Sequence, residues 1–255
     1  MADNLETFEK GQPESAGAVS ARRDVGSHLR LWPVAVVTLA IDLWTKHWAF
    51  TRLDPDPAAG AWVVIPQVMS FRRSLNTGAL FGLGKGLTPV FIAASLVALL
   101  FVLFLFIHST RDRRSLHVAL GLVLAGALGN LYDRAFMIAD VVRYQADGRT
   151  HVEACKVLDQ REDAVVIGVW PDGGDRPRVI PSHYEPQITQ QGVVRDFIKM
   201  EPRFRVGGYL IEIWPWVFNI ADVLLVVGVG LLLLNFWWDR KAEKAAERAK
   251  GRSPA

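Results

Sequence analysis

The sequence predicts an all-α membrane protein: four transmembrane helices joined by outer loops that carry a little β-structure. Of the 255 residues, 51% belong to the hydrophobic set and 22% are charged, and the two kinds are segregated into long apolar runs and charged stretches. Four runs, at about 31–51, 89–107, 116–133 and 217–238, reach the ~20 residues that a helix needs to cross a bilayer core. Lysine and arginine crowd one side of this pattern: Arg22, Arg23 and Arg30, then Arg111, Arg113 and Arg114, then Arg240 through Arg252. The first loop on the other side holds only Arg52, Arg72, Arg73 and Lys85. Short basic flanks stay in the cytoplasm, so both termini are expected there, in a multi-pass protein of the cytoplasmic membrane.

Composition also excludes function classes. A net charge of +3, with the basic residues placed at the ends of apolar runs, makes no nucleic-acid surface. Cys155 is the only cysteine, so there is no disulfide framework, and no His/Cys cluster suggests a metal or cofactor.

Residues 1–30 are polar and read as a disordered cytoplasmic leader, and 239–255 as a basic cytoplasmic tail. Between them, 31–238 forms the membrane domain. Its first helix is interrupted by Asp42, Lys46 and His47; the second has no charge; the third is rich in small residues (Gly121, Ala125, Gly126, Ala127, Gly129) that let helices approach closely. Trp44, Trp48, Trp214 and Trp216 fit an outer aromatic belt and Trp32, Trp237 and Trp238 an inner one. In the first outer loop, Trp62–Ser70 and Phe71–Leu75 are β-branched and aromatic, as short strands are. Residues 139–192 form a long extracytoplasmic insertion with strand-like runs at His151–Leu158 and Ala164–Trp170 and a turn at Pro171–Gly174. Gly192–Met200 has the apolar pattern of an element resting on the membrane surface.

An ionisable group at membrane depth is expensive and marks function by default. Asp222, three residues after Asn219 at the start of the last run, has no cation near it in sequence. Asp42 lies about 17 Å up the first helix at ~1.5 Å per residue, which puts it towards the outer face. Asn76, Asn130, Asp133, Asn219 and Asp222 all fall at that same level, so the site is expected near the outer leaflet. Simpler readings stand beside these: Asp42 and Lys46 as a helix ion pair, Asp133 and Arg134 as an interfacial pair, Asn76-Thr77-Gly78 as a turn, Asp196 as a surface acid. No nucleophile elbow, zinc-binding or phosphate-loop motif occurs. What remains is carboxylate chemistry, in which two carboxyls sharing a proton activate water without a cofactor.

Five motifs, in order along the chain, resemble the lipoprotein signal peptidase (signal peptidase II) family. They are Asp42-Leu43-Trp44-Thr45-Lys46, Asn76-Thr77-Gly78-Ala79-Leu80-Phe81, Gly126 to Arg134, Val193-Val194-Arg195-Asp196-Phe197 and Phe218-Asn219-Ile220-Ala221-Asp222. The resemblance implies an intramembrane aspartic endopeptidase that removes signal peptides from bacterial prolipoproteins just before a diacylglyceryl-modified cysteine. It implies a four-helix bundle with a small outer β-cradle and a surface helix. By motif position, Asp196 and Asp222 are the catalytic pair. Asn76, Gly78, Asn130, Arg134, Asn219 and Ala221 would bind or frame substrate, with Asp42, Lys46 and Asp133 supporting. The chain departs from the family in the insertion and in Arg195, which interrupts the Val-Val-Asp-Phe element. The insertion makes Asp140 a rival for Asp196, but Asp-Phe-Ile after a Val pair fits the pattern better. Two other readings of the acids are a proton-coupled transporter relay through Asp42, Asp133 and Asp222, and a structural role as helix glue. Against the relay, the acids gather at one level and no internal repeat is visible.

Overall fold

The computed structural model describes residues 19–55, 61–78, 88–207, 209–212 and 214–250. Most of the expected leader, Ala79–Phe81 of the second motif, Lys85, and the tail from residue 251 lie outside these residues. Four long helices run through the chain: α1 (Val25–Arg52), α2 (Thr88–Ile107), α3 (Arg114–Phe136) and α4 (Ile220–Lys250). Helix α1 starts at Asp24, whose carboxylate accepts from the Ser27 backbone N–H at 2.8 Å and so satisfies one of the orphan donors of a first turn. Leu31, Ala35, Val102, Phe106, Leu120 and Leu124 make the core between α1, α2 and α3. The expected small residues sit at the closest approaches. A Cβ on Gly126 would lie 2.6 Å from the Ala221 carbonyl oxygen, and one on Gly129 would run into the Asp42 carboxylate. Those two glycines let α1 and α4 close on α3, where the polar residues are.

The all-α expectation is overturned. The described residues also form eleven strands in three antiparallel sheets, so the fold is mixed. The cradle sheet has the order β1-β2-β8-β11, from β1 (Trp62–Ile65), β2 (Met69–Asn76), β8 (Val194–Met200) and β11 (Val217–Phe218). The insertion is a five-stranded sheet of order β6-β5-β4-β3-β7, from β3 (Ile138–Ala146), β4 (Arg149–Gln160), β5 (Ala164–Val169), β6 (Gly173–Pro181) and β7 (Gln187–Gly192). It has its own apolar cluster around Val142, Cys155, Val165, Ile167 and Ile180. A hairpin of β9 (Arg203–Val206) and β10 (Tyr209–Glu212) completes the set. The reason for the miss is physical. Apolar runs mark helices by length, whereas strands of four to twelve residues are marked only by alternation and turns, which a count of spanning runs ignores.

Among the described residues two helical stretches, Arg114–Phe136 and Ile220–Ala245, are long and apolar enough to cross a membrane; the four crossings expected from the sequence are not met on that criterion. Charge explains α1, which carries Arg30, Asp42, Lys46 and Arg52 within its span. The helices leave Val37, Trp44, Leu100, Phe101, Val226, Leu233, Trp237 and Trp238 exposed, an apolar surface too extensive for water.

Two further expectations change. Val194–Met200 is no surface-lying element but a strand inside the cradle sheet, buried over nearly its whole length. The last helix begins at Ile220, because Val217 and Phe218 pair with Lys199 and Ile198 of β8.

Candidate active site

The strand-to-helix junction before α4 places the acids. Asn219 caps the helix: its Oδ1 accepts from the Asp222 backbone N–H at 3.1 Å, and its own N–H donates to Asp222 Oδ2 at 3.2 Å. This reciprocal arrangement is a capping box and needs only a polar residue at the cap and an acid three positions on. Two residues upstream, β11 is hydrogen-bonded to β8, and that pairing brings Asp196 to the same helix end. Asn219 Nδ2 donates to Asp196 Oδ1 at 2.6 Å and to Asn130 Oδ1 at 3.1 Å, while Asn130 Nδ2 donates to Asp222 Oδ1 at 2.9 Å. From β2, Asn76 Nδ2 donates to Asp196 Oδ2 at 3.0 Å. Two carboxyls are thus held by three carboxamides. Asp196 is 1% exposed and Asp222 9%. Burial first, and then the charge of Asp222, push the Asp196 carboxyl well above the usual carboxylate range.

Beside this pair lies a buried ion network. Lys46 Nζ is 2.8 Å from Asp42 Oδ2 and 3.5 Å from Asp133 Oδ2, and it donates to Asn130 Oδ1 at 3.1 Å. The i, i+4 pairing of Asp42 with Lys46 is therefore real, and Asp42 Oδ1 also accepts from the Ala221 N–H at 2.7 Å. The expected pairing of Asp133 with Arg134 is corrected. Asp133 takes Arg195 on both oxygens, from its Nη2 at 2.7 Å and Nε at 3.2 Å on Oδ1 and from its backbone N–H at 2.9 Å on Oδ2. Arg134 instead donates to the Gly78 carbonyl at 2.8 Å and to the Asn130 carbonyl at 3.3 Å. Asn76-Thr77-Gly78 is a turn as well as part of the site, since the Gly78 N–H donates to Asn76 Oδ1 at 2.9 Å. Asp140 stays in the insertion, accepting from Val157 N–H at 2.8 Å and Gln190 Nε2 at 2.9 Å.

All eleven residues singled out in the sequence converge here. Arg195 was noted only as a departure from the motif and not as a site residue; the signal that could have found it is a cation set among apolar residues next to Asp196, which needs a carboxylate partner when buried. The walls of the site were also missed. An apolar groove of about 440 Å³, lined by Met200, Trp214, Trp216, Phe218, Val223 and Val227, opens beside Asn76 and Asp222. Trp214 and Trp216, read as belt residues, meet edge-to-face at 5.5 Å in this wall. Among the described residues no group of His, Cys, Asp and Glu side chains could hold a metal ion.

Residues 34–238 match the sequence profile of signal peptidase (SPase) II. The chain is 33% identical over 215 residues to a lipoprotein signal peptidase of Shouchella clausii, covering 84% of this chain and 97% of that one. It is 36% identical over 169 residues to a lipoprotein signal peptidase of Streptomyces griseus, covering 64% of this chain and 80% of the relative. A solved bacterial membrane enzyme, determined by the in meso method, shares the fold with a TM-score of 0.51 at 23% identity, over 84% of this chain and 88% of that one. The chain thus belongs to the signal peptidase II family, the lipoprotein signal peptidases, and is a membrane protease.

Proposed function

We propose that the chain is an aspartic endopeptidase, working near the outer leaflet of the bacterial cytoplasmic membrane, that cuts prolipoproteins on the N-terminal side of a diacylglyceryl-modified cysteine. The observation that carries this reading is the pair Asp196 and Asp222, both bound to Asn219 and opening on an apolar groove. In this reading the proton sits on Asp196 and the charge on Asp222, beside the backbone N–H groups of the α4 N-terminus. Asp222 takes a proton from a water between the carboxyls, and the water oxygen attacks the scissile carbonyl carbon. Asp196 gives its proton to the carbonyl oxygen, leaving a gem-diol. The C–N bond then breaks as Asp222 protonates the departing nitrogen, and a gem-diol hydroxyl returns a proton to Asp196.

Asn76, Asn130, Arg134 and Asn219 frame the substrate backbone in this reading. Asp42, Lys46 and Asp133 hold the helices at the distances the pair needs, and Gly78 and Ala221 give backbone groups to Arg134 and Asp42. The groove takes the apolar part of the substrate. Both chain ends lie in the cytoplasm, and no cofactor takes part.

The test is precursor processing by purified Asp196→Asn, Asp222→Asn and the double variant, each checked for insertion and folding. Each single change should abolish turnover, and the double should be little worse, because residues acting as a unit are non-additive. Normal cleavage by Asp196→Asn would sink the assignment. Proton-coupled solute flux in proteoliposomes, with no precursor cleavage, would favour the transporter reading.

A further inference from the structure

A second cavity, larger than the groove at about 740 Å³, lies between the insertion and the cradle. Its near wall is the end of α1 and strand β2 (Phe50, Arg73, Ser74, Leu75), and its far wall is β4, β5 and β6. Trp170 fastens the two bodies across it. Trp170 packs edge-on against Phe50 at 6.1 Å, its carbonyl accepts from Arg73 Nη2 at 2.7 Å, and its indole N–H donates to the Ile138 carbonyl at 2.8 Å. Arg73 also lies over the Phe50 ring, 4.8 Å from its centroid. The cleft is therefore a fixed space within the described fold.

Two features say what it is for. The first is continuity with the acid pair. Ser74, in the cleft wall, is the direct cross-strand partner of Asp196, and Asn76, two residues along β2, donates to Asp196. Leu75 and Ser74 put the cleft wall one and two residues along the strand from Asn76, about 3–7 Å at ~3.3 Å per residue from the side chain that holds Asp196. The apolar groove leaves the same pair on the side of α4. The second feature is charge. Three arginines line the cleft, Arg73, Arg176 and Arg178, against one acid in the wall, Glu153, which Arg178 already engages. Arg176 and Arg178 stand two apart on β6, so they share a face. Asp54 and Asp172 also lie in the field of Arg73, which leaves β6 as the more cationic side.

We propose that this cleft receives the polypeptide just downstream of the cleaved bond, as an extended segment, and favours acidic side chains in it. The proposal rests on the reading of Asp196 and Asp222 as the peptidase centre. In that reading the apolar part of the precursor fills the groove, the scissile bond lies at the acids, and the downstream chain leaves over β2 into the cleft. Its carboxylates then compete with Glu153 for the Arg178 guanidinium and add to the partners of Arg176.

The test uses the full-length enzyme and lipid-modified precursors that differ only in the first eight or so residues after the modified cysteine, acidic in one set and basic in the other. The readout is the ratio of kcat/KM for acidic over basic precursors, measured within each enzyme so that a general loss of activity cancels. Surface pairs of this kind support about a fivefold ratio in the wild type, falling with added salt. Arg176→Glu/Arg178→Glu should bring the ratio to one or below, acting through KM and not kcat. A precursor truncated soon after the cysteine should be cut equally well by wild type and variant. As a second measurement, a photoreactive residue in the downstream segment should crosslink wild-type enzyme within Val152–Cys155 or Arg176–Arg178. A ratio of one in the wild type, or crosslinks confined to the groove residues, would overturn the proposal. So would a dependence on anionic lipid content that the variant abolishes while the precursor sequence has no effect, which would make the cleft a headgroup site. Failure of the wild type to cut even the truncated precursor would instead overturn the peptidase reading.

Discussion

Replacing Asp133 by Asn separates structural from chemical work in the site. Asp133 is fully buried, and both its oxygens are occupied: Oδ1 by two nitrogens of the Arg195 guanidinium, Oδ2 by the Arg195 N–H and by Lys46 at 3.5 Å. It has no oxygen left to hold a water. The amide would leave the guanidinium without its counter-charge, and an Nδ2 would face donors on whichever side it took. Removing one partner of a buried ion pair costs about 3–5 kcal/mol, because the surviving charge stays desolvated. At about 2–4 °C per kcal/mol for a chain of this size, the apparent Tm in detergent should fall by about 6–20 °C. Arg195→Met should fall less, since Lys46 still faces Asp133. Asp133→Asn/Arg195→Met should recover part of the loss, with a coupling of about 0.5–3 kcal/mol. The assay is a thermal melt of the three variants alongside precursor cleavage well below each Tm, where Asp133→Asn should still turn over. An Asp133→Asn enzyme with the wild-type Tm and no activity would refute the reasoning and make Asp133 and Asp222 the reacting pair.

Asn219→Ala removes the α4 cap, worth about 1 kcal/mol, and the two bonds from Nδ2 that place Asp196 and Asn130; the Tm should fall by a few degrees and kcat by about 10²-fold, and a loss confined to KM would contradict this. The Asp196 carboxyl is raised and must be protonated to donate, so kcat/KM should fall as pH rises through the raised value, the acid limb of the profile being loss of the Asp222 charge that the base needs. Its stability contribution has the same sign, present while it is neutral and lost as it is forced to ionise; activity that climbs through that window would place the proton elsewhere. Trp170→Ala should loosen the insertion, seen as faster limited proteolysis between β3 and β7 while the membrane part stays intact. For the same reason, deleting Ala146–Pro186 takes the Trp170 fastening with it, and cleavage of truncated precursors should survive better than that of long ones. In intact cells an impermeant thiol reagent should label a cysteine placed at the exposed Glu162 of the insertion and not one at Ser253; native Cys155 stays silent, since burial pushes its thiol up to about 12. Labelling at Ser253 alone would reverse the orientation.

Local chemistry decided much of this protein in the sequence itself. The helices at 31–51, 89–107 and 116–133 are written in apolar runs and fall inside α1, α2 and α3, because a run of that length has no other economical way to satisfy its backbone. The strand-like runs at His151–Leu158 and Ala164–Trp170 fall on β4 and β5, because β-branched alternation between turns is a local signal. Most of the candidate residues were found as polar side chains where apolar ones are expected, a local anomaly too, while Gly78 and Ala221 came from the motifs that carry the resemblance.

What the sequence could not hold was pairing between distant segments. β8 enters the cradle sheet because β2, paired with it across 118 residues (Asn76 with Val194) to 131 residues (Met69 with Met200), and β11, paired across 18 to 20, take its two edges; nothing within Val194–Met200 distinguishes a buried central strand from an apolar surface segment.

 The separations in that sheet make the point: Asn76 pairs with Val194 and Met69 with Met200, contacts that no local pattern encodes. The same holds for the ions. Asp133 adjoins Arg134 in the chain, yet a helix turns neighbours about 100° apart, so Arg134 points to Gly78 while Asp133 meets Arg195 from β8 and Lys46 from α1. Partner choice for a buried charge is set by which elements the fold stacks together, because only a desolvated neighbour at hydrogen-bond distance can offset the cost of burial, and that neighbour comes from the tertiary structure.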